Sequence, residues 1–175
     1  MATVRGGLIQ MSLKAPTDKS PQEIAKGMME AHAPLIEKAG KAGVQVLCLQ
    51  EVFNQPYFCP SQDPKWYAAA EPVPEGPTVK VMQDFARRFA MAIVVPLYEE
   101  AMTGVYYNTA AVIDADGAYL GKYRKTHIPR SQASGRSSSS SPAPQTIPFS
   151  TSAIASSAST SATTAISPKA GGRWR

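Results

Sequence analysis

The chain has 175 residues, the size of one average domain, with 18 basic and 13 acidic residues and a net charge of +5. Four of the basic residues, Arg136, Lys169, Arg173 and Arg175, fall in residues 131–175, a segment with 14 Ser, 5 Thr and no Asp or Glu. Residues 1–130 are therefore near neutral and carry no Lys/Arg stripe interleaved with aromatics, which argues against a nucleic-acid partner, and no run reaches the ~18 apolar residues of a membrane span.

Residues 4–12 are rich in Val, Leu, Ile and Met and precede the breaker Lys14-Ala15-Pro16-Thr17-Asp18, as a buried strand leaving its sheet would. A helix is predicted next. Ser20 suits the N-cap, Pro21 the first helical position, and Glu23 completes a capping box. Ile24, Met28, Ala31 and Leu35 give it an apolar face, Pro34 is a candidate kink, and Gly40 and Gly43 are expected to end it. Val44–Leu49 reads as a short strand buried on both faces, with Glu51 just beyond its C-terminal end. In open α/β sheets that edge is where ligands bind.

Gly76 and Pro77 open a second predicted helix with Met82, Phe85, Ala86 and Phe89 on one face. Met91–Leu97 follows as a strand. Tyr106–Ile113 and Ala118–Tyr123 are then two strands joined by the turn Asp114-Ala115-Asp116-Gly117. The order β-α-β-α-β-β-β implies a layered α/β fold with a mixed sheet. The N-terminus has no secretory pattern, and Cys48 and Cys59 form no disulfide framework or metal-ligand spacing, so a cytoplasmic chain with reduced thiols is expected.

Three segments carry chemistry: Leu47-Cys48-Leu49-Gln50-Glu51 at a strand end, Tyr107-Asn108-Thr109-Ala110 starting a strand, and Gly121-Lys122-Tyr123-Arg124-Lys125-Thr126-His127-Ile128-Pro129 ending one. Together, over residues 4–129, they resemble the nitrilase superfamily of carbon–nitrogen hydrolases, nearest to its N-carbamoyl amidohydrolase branch. The resemblance implies an α-β-β-α sandwich, present here as its N-terminal half, in residues 1–130. It implies Glu51 as general base, Lys125 as catalytic lysine and a cysteine nucleophile on a later strand, with no cofactor and no metal. A carboxylate can take the thiol proton and later activate water, while an ammonium stabilises the oxyanion. Asn108, Phe53 and Tyr57 are candidate substrate-binding residues, with Phe58 beside them. Read alone, Lys122-Tyr123-Arg124-Lys125 could equally be a solvated basic run. His127 is expected to support the site through its backbone or neighbours, and His32 on the first helix has no evident partner.

The nucleophile motif of this branch, G-V-Y-I-C-Y-D-R-H-F-P-E, is absent, and neither Cys48 nor Cys59 stands in it. Residues 131–175 have the composition of a disordered tail. Read one base out of frame, Ala158–Trp174 is compatible with G-V-Y-I-C-Y-D-R-H-F-P-E-G-W-R-A-L, and Arg130–Ser140 with Q-V-P-G-F-W-E-K-F-F-F. A frameshift near codons 129–130 would place the nucleophile's codon behind Ala162 and a second glutamate's behind Arg136. The expectation is a truncated, inactive chain. Its parent would be a homo-oligomer hydrolysing a small N-carbamoyl or amide substrate, with a nitrile or simple amide as the alternative. A non-catalytic subunit that binds full-length partners is the other reading.

Overall fold

The computed structural model describes residues 3–59, 61 and 63–126. The tail expected over 131–175, the frameshifted segment and His127 lie outside the described residues.

The chain runs β1 (Gly6–Ile9), α1 (Pro21–Lys41), β2 (Val46–Leu49), a 3₁₀ helix (Pro64–Ala69) not foreseen in the sequence, α2 (Pro77–Phe89), β3 (Ala92–Met102), β4 (Val105–Ile113) and β5 (Tyr119–Arg124). The five strands form one sheet in sequence order. β1, β2 and β3 are parallel through the helical crossovers, whereas β3, β4 and β5 are antiparallel. The mixed α/β sheet is thus present as the pattern required. β3 continues five residues past the expected Leu97, because a second hairpin, with Gly104 at φ +79°, keeps Tyr98–Met102 paired with Val105–Asn108.

α1 begins with the reciprocal capping box: the Glu23 amide donates to Ser20 Oγ at 3.2 Å and the Ser20 amide to Glu23 Oε2 at 3.0 Å. Its buried row is Pro21, Ile24, Met28, His32 and Ile36. Leu35, expected on that face, is 37% exposed. The row advances by four residues, and His32 can occupy it because Nδ1 bonds the Met28 carbonyl at 2.8 Å while the ring meets Phe53 edge-on. The helix is continuous through Pro34 and ends at Lys41, with Ala42 as its C-cap and Gly43 following at φ +73°. Gly40 therefore serves another purpose than stopping it. A Cβ there would lie 2.3 Å from Phe89 Cγ, so its bare backbone lets α2 approach α1.

Both helices pack on one face of the sheet. Leu47 and Leu49 of β2, Ile93, Val95 and Leu97 of β3, and Ala111 and Ile113 of β4 meet Ile36 of α1 and Val79, Met82 and Ala86 of α2 in a single core. The opposite face carries Leu8, Cys48, Val94 and Val112 in one cross-strand row, and Leu8 is 85% exposed. Among the described residues, no helix is long and apolar enough to cross a membrane.

The Gly40 contact yields a stability prediction. Alanine gains ~1 kcal/mol of helix propensity over glycine, but overpacking against an aromatic ring costs about 1–3 kcal/mol. Gly40→Ala should therefore lower the urea midpoint; a raised midpoint would show that Phe89 yields freely.

Candidate active site

β2 ends at Leu49 and the chain turns sharply over residues 51–54. Val52 sits at φ +47°, a left-handed conformation that is costly for a β-branched residue. The turn is tied to the sheet by the Phe53 amide, which donates to the Pro96 carbonyl of β3 at 3.2 Å. This geometry holds Glu51 at the C-terminal edge of the parallel strands.

Asn108 of β4 and Lys125, just after β5, meet Glu51 there. Lys125 Nζ donates to Glu51 Oε1 at 2.7 Å, and Asn108 Nδ2 donates to the same oxygen at 2.6 Å. The Lys125 amide also donates to the Asn108 carbonyl at 2.9 Å, so the two donors are joined through backbone as well. The side chains of Glu51 and Lys125 are 50% and 37% exposed. Hydrogen bonds from Lys125 and then Asn108 hold the Glu51 carboxyl below the usual carboxylate range. The bond to Glu51 raises the Lys125 ammonium above the ordinary lysine value, and Tyr57 and Cys59 add smaller electrostatic contributions in the same direction.

The other expected site residues are dispersed. Phe53 does not join Glu51 but is wholly buried in the core, because the turn that displays Glu51 directs the side chain two residues later inward. Tyr57 is 71% exposed. A cleft of about 380 Å³ is instead lined by Phe58, Cys59, Asp63, Trp66, Tyr67 and Tyr98. Phe58 stacks on Trp66 at 5.4 Å and meets Tyr98 at 5.0 Å. A larger groove, about 430 Å³, opens between the starts of α1 and α2 and contains none of Glu51, Asn108 and Lys125.

The model of the carbon–nitrogen hydrolase family matches residues 7–166. The chain belongs to the carbon–nitrogen hydrolase family. It is 40% identical over 129 residues to the β-ureidopropionase of Arabidopsis thaliana, covering 73% of this chain and 31% of that protein. It is 41% identical over 95 residues to the N-carbamoylputrescine amidase of Solanum lycopersicum, covering 54% and 31%. The chain thus spans about a third of the length of these relatives. Among solved structures it resembles the carbon–nitrogen hydrolase from Helicobacter pylori G27, with a TM-score of 0.61 and 29% identity over 73% of this chain and 41% of that one. Saccharomyces cerevisiae Nit3, a member of branch 10 of the nitrilase superfamily, matches with a TM-score of 0.56 and 26% identity over 71% and 44%.

In this carbon–nitrogen hydrolase chain the basic run 122–125 is not a solvated face. Lys122 and Arg124 both reach Glu99 of β3, whose side chain has no exposure. Arg124 Nε and Nη2 donate to the two Glu99 oxygens at 2.9 and 2.7 Å, Thr109 Oγ1 donates at 2.6 Å, and Lys122 Nζ completes the set. Burial pushes the Glu99 carboxyl up, but the bonds from Arg124, Lys122 and Thr109 outweigh it and hold it below the usual range. Sequence reading passed over Glu99, although a carboxylate continuing the buried alternation Ile93, Val95, Leu97 signals a need for cationic partners. Both cysteines are free: Cys48 lies half-buried in β2, where burial pushes its thiol up, and Cys59 is exposed in the loop after Glu51. Among the described residues no three His, Cys, Asp or Glu side chains group closely enough to hold a metal.

The two titrations define a pH window. Glu51, lowered in the fold, stabilises it above the unfolded value of ~4.3, and this contribution is lost as pH falls through the lower folded value. Lys125, raised in the fold, stabilises it below ~10.4, and its contribution is lost as pH rises through the higher folded value. The stability difference between the chain and Glu51→Gln should therefore be level from about pH 5 to pH 10 and vanish in acid, as read by urea titrations across pH. A difference that grows in acid would contradict the pairing.

Proposed function

We propose that this chain carries the general base, Glu51, and the oxyanion-stabilising lysine, Lys125, of a hydrolase that converts N-carbamoyl amines or acids to amine, carbon dioxide and ammonia. The observation that carries this reading is the convergence of Lys125 and Asn108 on one oxygen of Glu51 at the sheet edge. With Oε1 engaged, Oε2 has neither of these bonds and is the oxygen suited to take a proton. The similarity to a β-ureidopropionase and an N-carbamoylputrescine amidase supports the substrate class.

The chemistry follows from the groups present. A thiol attacks the carbamoyl carbon, and its proton passes to Glu51 while Lys125 balances the charge that forms on oxygen. Glu51 returns the proton to the departing nitrogen as the carbon–nitrogen bond breaks. Water, deprotonated by the same carboxylate, then attacks the thiocarbamate carbon; the carbon–sulfur bond breaks, the proton passes from Glu51 to sulfur, and the carbamic acid released loses carbon dioxide to give the second nitrogen product. Asn108 holds Glu51 in place, and the aromatic cleft of Phe58, Trp66, Tyr67 and Tyr98 is the proposed seat of the substrate's body.

The sequence contains two cysteines, Cys48 and Cys59, and neither is proposed as the nucleophile. Cys48 is held in the sheet with its thiol on the Leu49 carbonyl at 3.4 Å, and Cys59 lies on the loop that carries Glu51 rather than on a strand facing it. The 175-residue chain is accordingly proposed to be inactive, because a covalent mechanism without its nucleophile loses nearly all rate.

Ammonia release tests both parts, using an N-carbamoyl amine and an N-carbamoyl acid alongside a nitrile and a simple amide. The chain as it stands should show no turnover. A gene shifted by one base after codon 129, so that the Cys-bearing frame is read, should give turnover of the N-carbamoyl compounds that falls about 10²–10⁴-fold in Glu51→Gln. Turnover by the 175-residue chain that disappears with Glu51→Gln would refute its inactivity. Equal activity of the shifted-frame enzyme and its Glu51→Gln variant would refute the base role, and preference for the nitrile or simple amide would refute the substrate class.

A further inference from the structure

Two carboxylates at the same end of the sheet are served by neighbouring residues of the same two strands. In β4, Thr109 bonds Glu99 while Asn108 bonds Glu51. At the end of β5, Arg124 bonds Glu99 while Lys125 bonds Glu51. Thr109 and Arg124 are cross-strand partners, and the next link along the ladder is the Lys125 amide on the Asn108 carbonyl. Because successive side chains in a strand point to opposite faces, the Glu99 set occupies the helix-bearing face and the Glu51 set the other.

β5 is poorly held otherwise. It is six residues long, pairs only with β4 among the described strands, and has a register irregularity opposite Val112/Ile113 with Gly121 at φ +148°. Lys125 leaves from its last residue. Glu99 by contrast is fixed in β3, wholly buried, and both of its oxygens accept bonds from β5. Lys122 Nζ adds a bond to the Val73 carbonyl at 2.8 Å, and the Arg124 guanidinium lies 3.9 Å from the Tyr107 ring centroid. The strand end is thereby clamped from one face in the register that presents Lys125 on the other.

We propose that Glu99 is a positioning residue for the Glu51–Lys125 pair: by anchoring Lys122 and Arg124 it sets the register of β5 and so delivers the Lys125 ammonium to Glu51. The proposal rests on the assignment of Glu51 and Lys125 as base and lysine and deepens it. Glu99 touches neither a reacting atom nor the pair itself, and acts through the strand.

A titration separates positioning from both simple stabilisation and a field effect. The Glu51 side-chain carboxyl carbon is followed by NMR in the full 175-residue chain, with the amide spectrum of α1, β1 and β2 reporting the fold. Glu99→Gln removes a negative charge, which through space can only lower the Glu51 titration midpoint. Loss of the Lys125 contact raises it. The expected result is a folded Glu99→Gln chain whose Glu51 midpoint moves up toward that of an unpartnered glutamate, with part of the shift recovered in Glu99→Asp. An unchanged or lowered midpoint in the folded variant overturns the proposal.

If Glu99→Gln does not fold, Arg124→Lys and Thr109→Val carry the same test. Arg124→Lys loses the forked contact, and Thr109→Val loses a single bond. Each should raise the Glu51 midpoint, Arg124→Lys the more, and no movement in either overturns the proposal. Turnover of the shifted-frame enzyme is not read in this titration, so failure of the positioning role and failure of the base role remain distinguishable.

Discussion

The pairing of Thr109 with Arg124 across β4 and β5 decides where the charges at this end of the sheet go. A carboxylate with no exposure, such as Glu99, stays ionised only if nearly every lone pair is met, and here Thr109, Lys122 and Arg124 meet them. Once those side chains are committed inward, strand alternation turns Asn108 and Lys125 to the other face. There the turn after β2, with Val52 in a left-handed conformation, presents Glu51. The site is thus assembled from a parallel strand end and an antiparallel hairpin, and the mixed topology of the sheet is what brings them together.

Electrostatics follows from the same arrangement. The sequence 122–125 contains three cations in four residues, which on a surface would repel one another. Distributed over two carboxylates on opposite faces, they form two separate ionic groups, Lys122 and Arg124 on Glu99 and Lys125 on Glu51. The buried one is held tightly and acts as scaffold. The half-exposed one, with a single Glu51 oxygen bonded by both Lys125 and Asn108, leaves the other oxygen available for proton transfer.

Much of this was legible in the sequence for local reasons. Ser20 and Glu23 form their capping box from neighbours three residues apart, and Gly76-Pro77 opens α2 at the expected position. The element order and the candidates Glu51, Asn108 and Lys125 were accessible because each residue stands within a recognisable motif, whereas the bond from Asn108 to Glu51 joins residues 57 positions apart and was not. What escaped depends on contacts distant in sequence. Gly40 is required by Phe89, 49 positions later, and His32 is accommodated by Phe53. Phe53 itself looked like a pocket wall because its neighbour Glu51 is displayed, yet the strained turn sends the two side chains to different environments. Glu99 was hidden at the end of an apolar strand whose true length was set by a hairpin partner rather than by its own composition.

Lys125 is bound to Glu51 and is not a member of a solvated basic run. The ¹⁵Nζ resonance of Lys125, followed against pH in the chain and in Glu51→Gln, tests it directly. The expected midpoint lies above the ordinary lysine value and drops when Glu51 is replaced. A midpoint at the ordinary value, unmoved by Glu51→Gln, would contradict it.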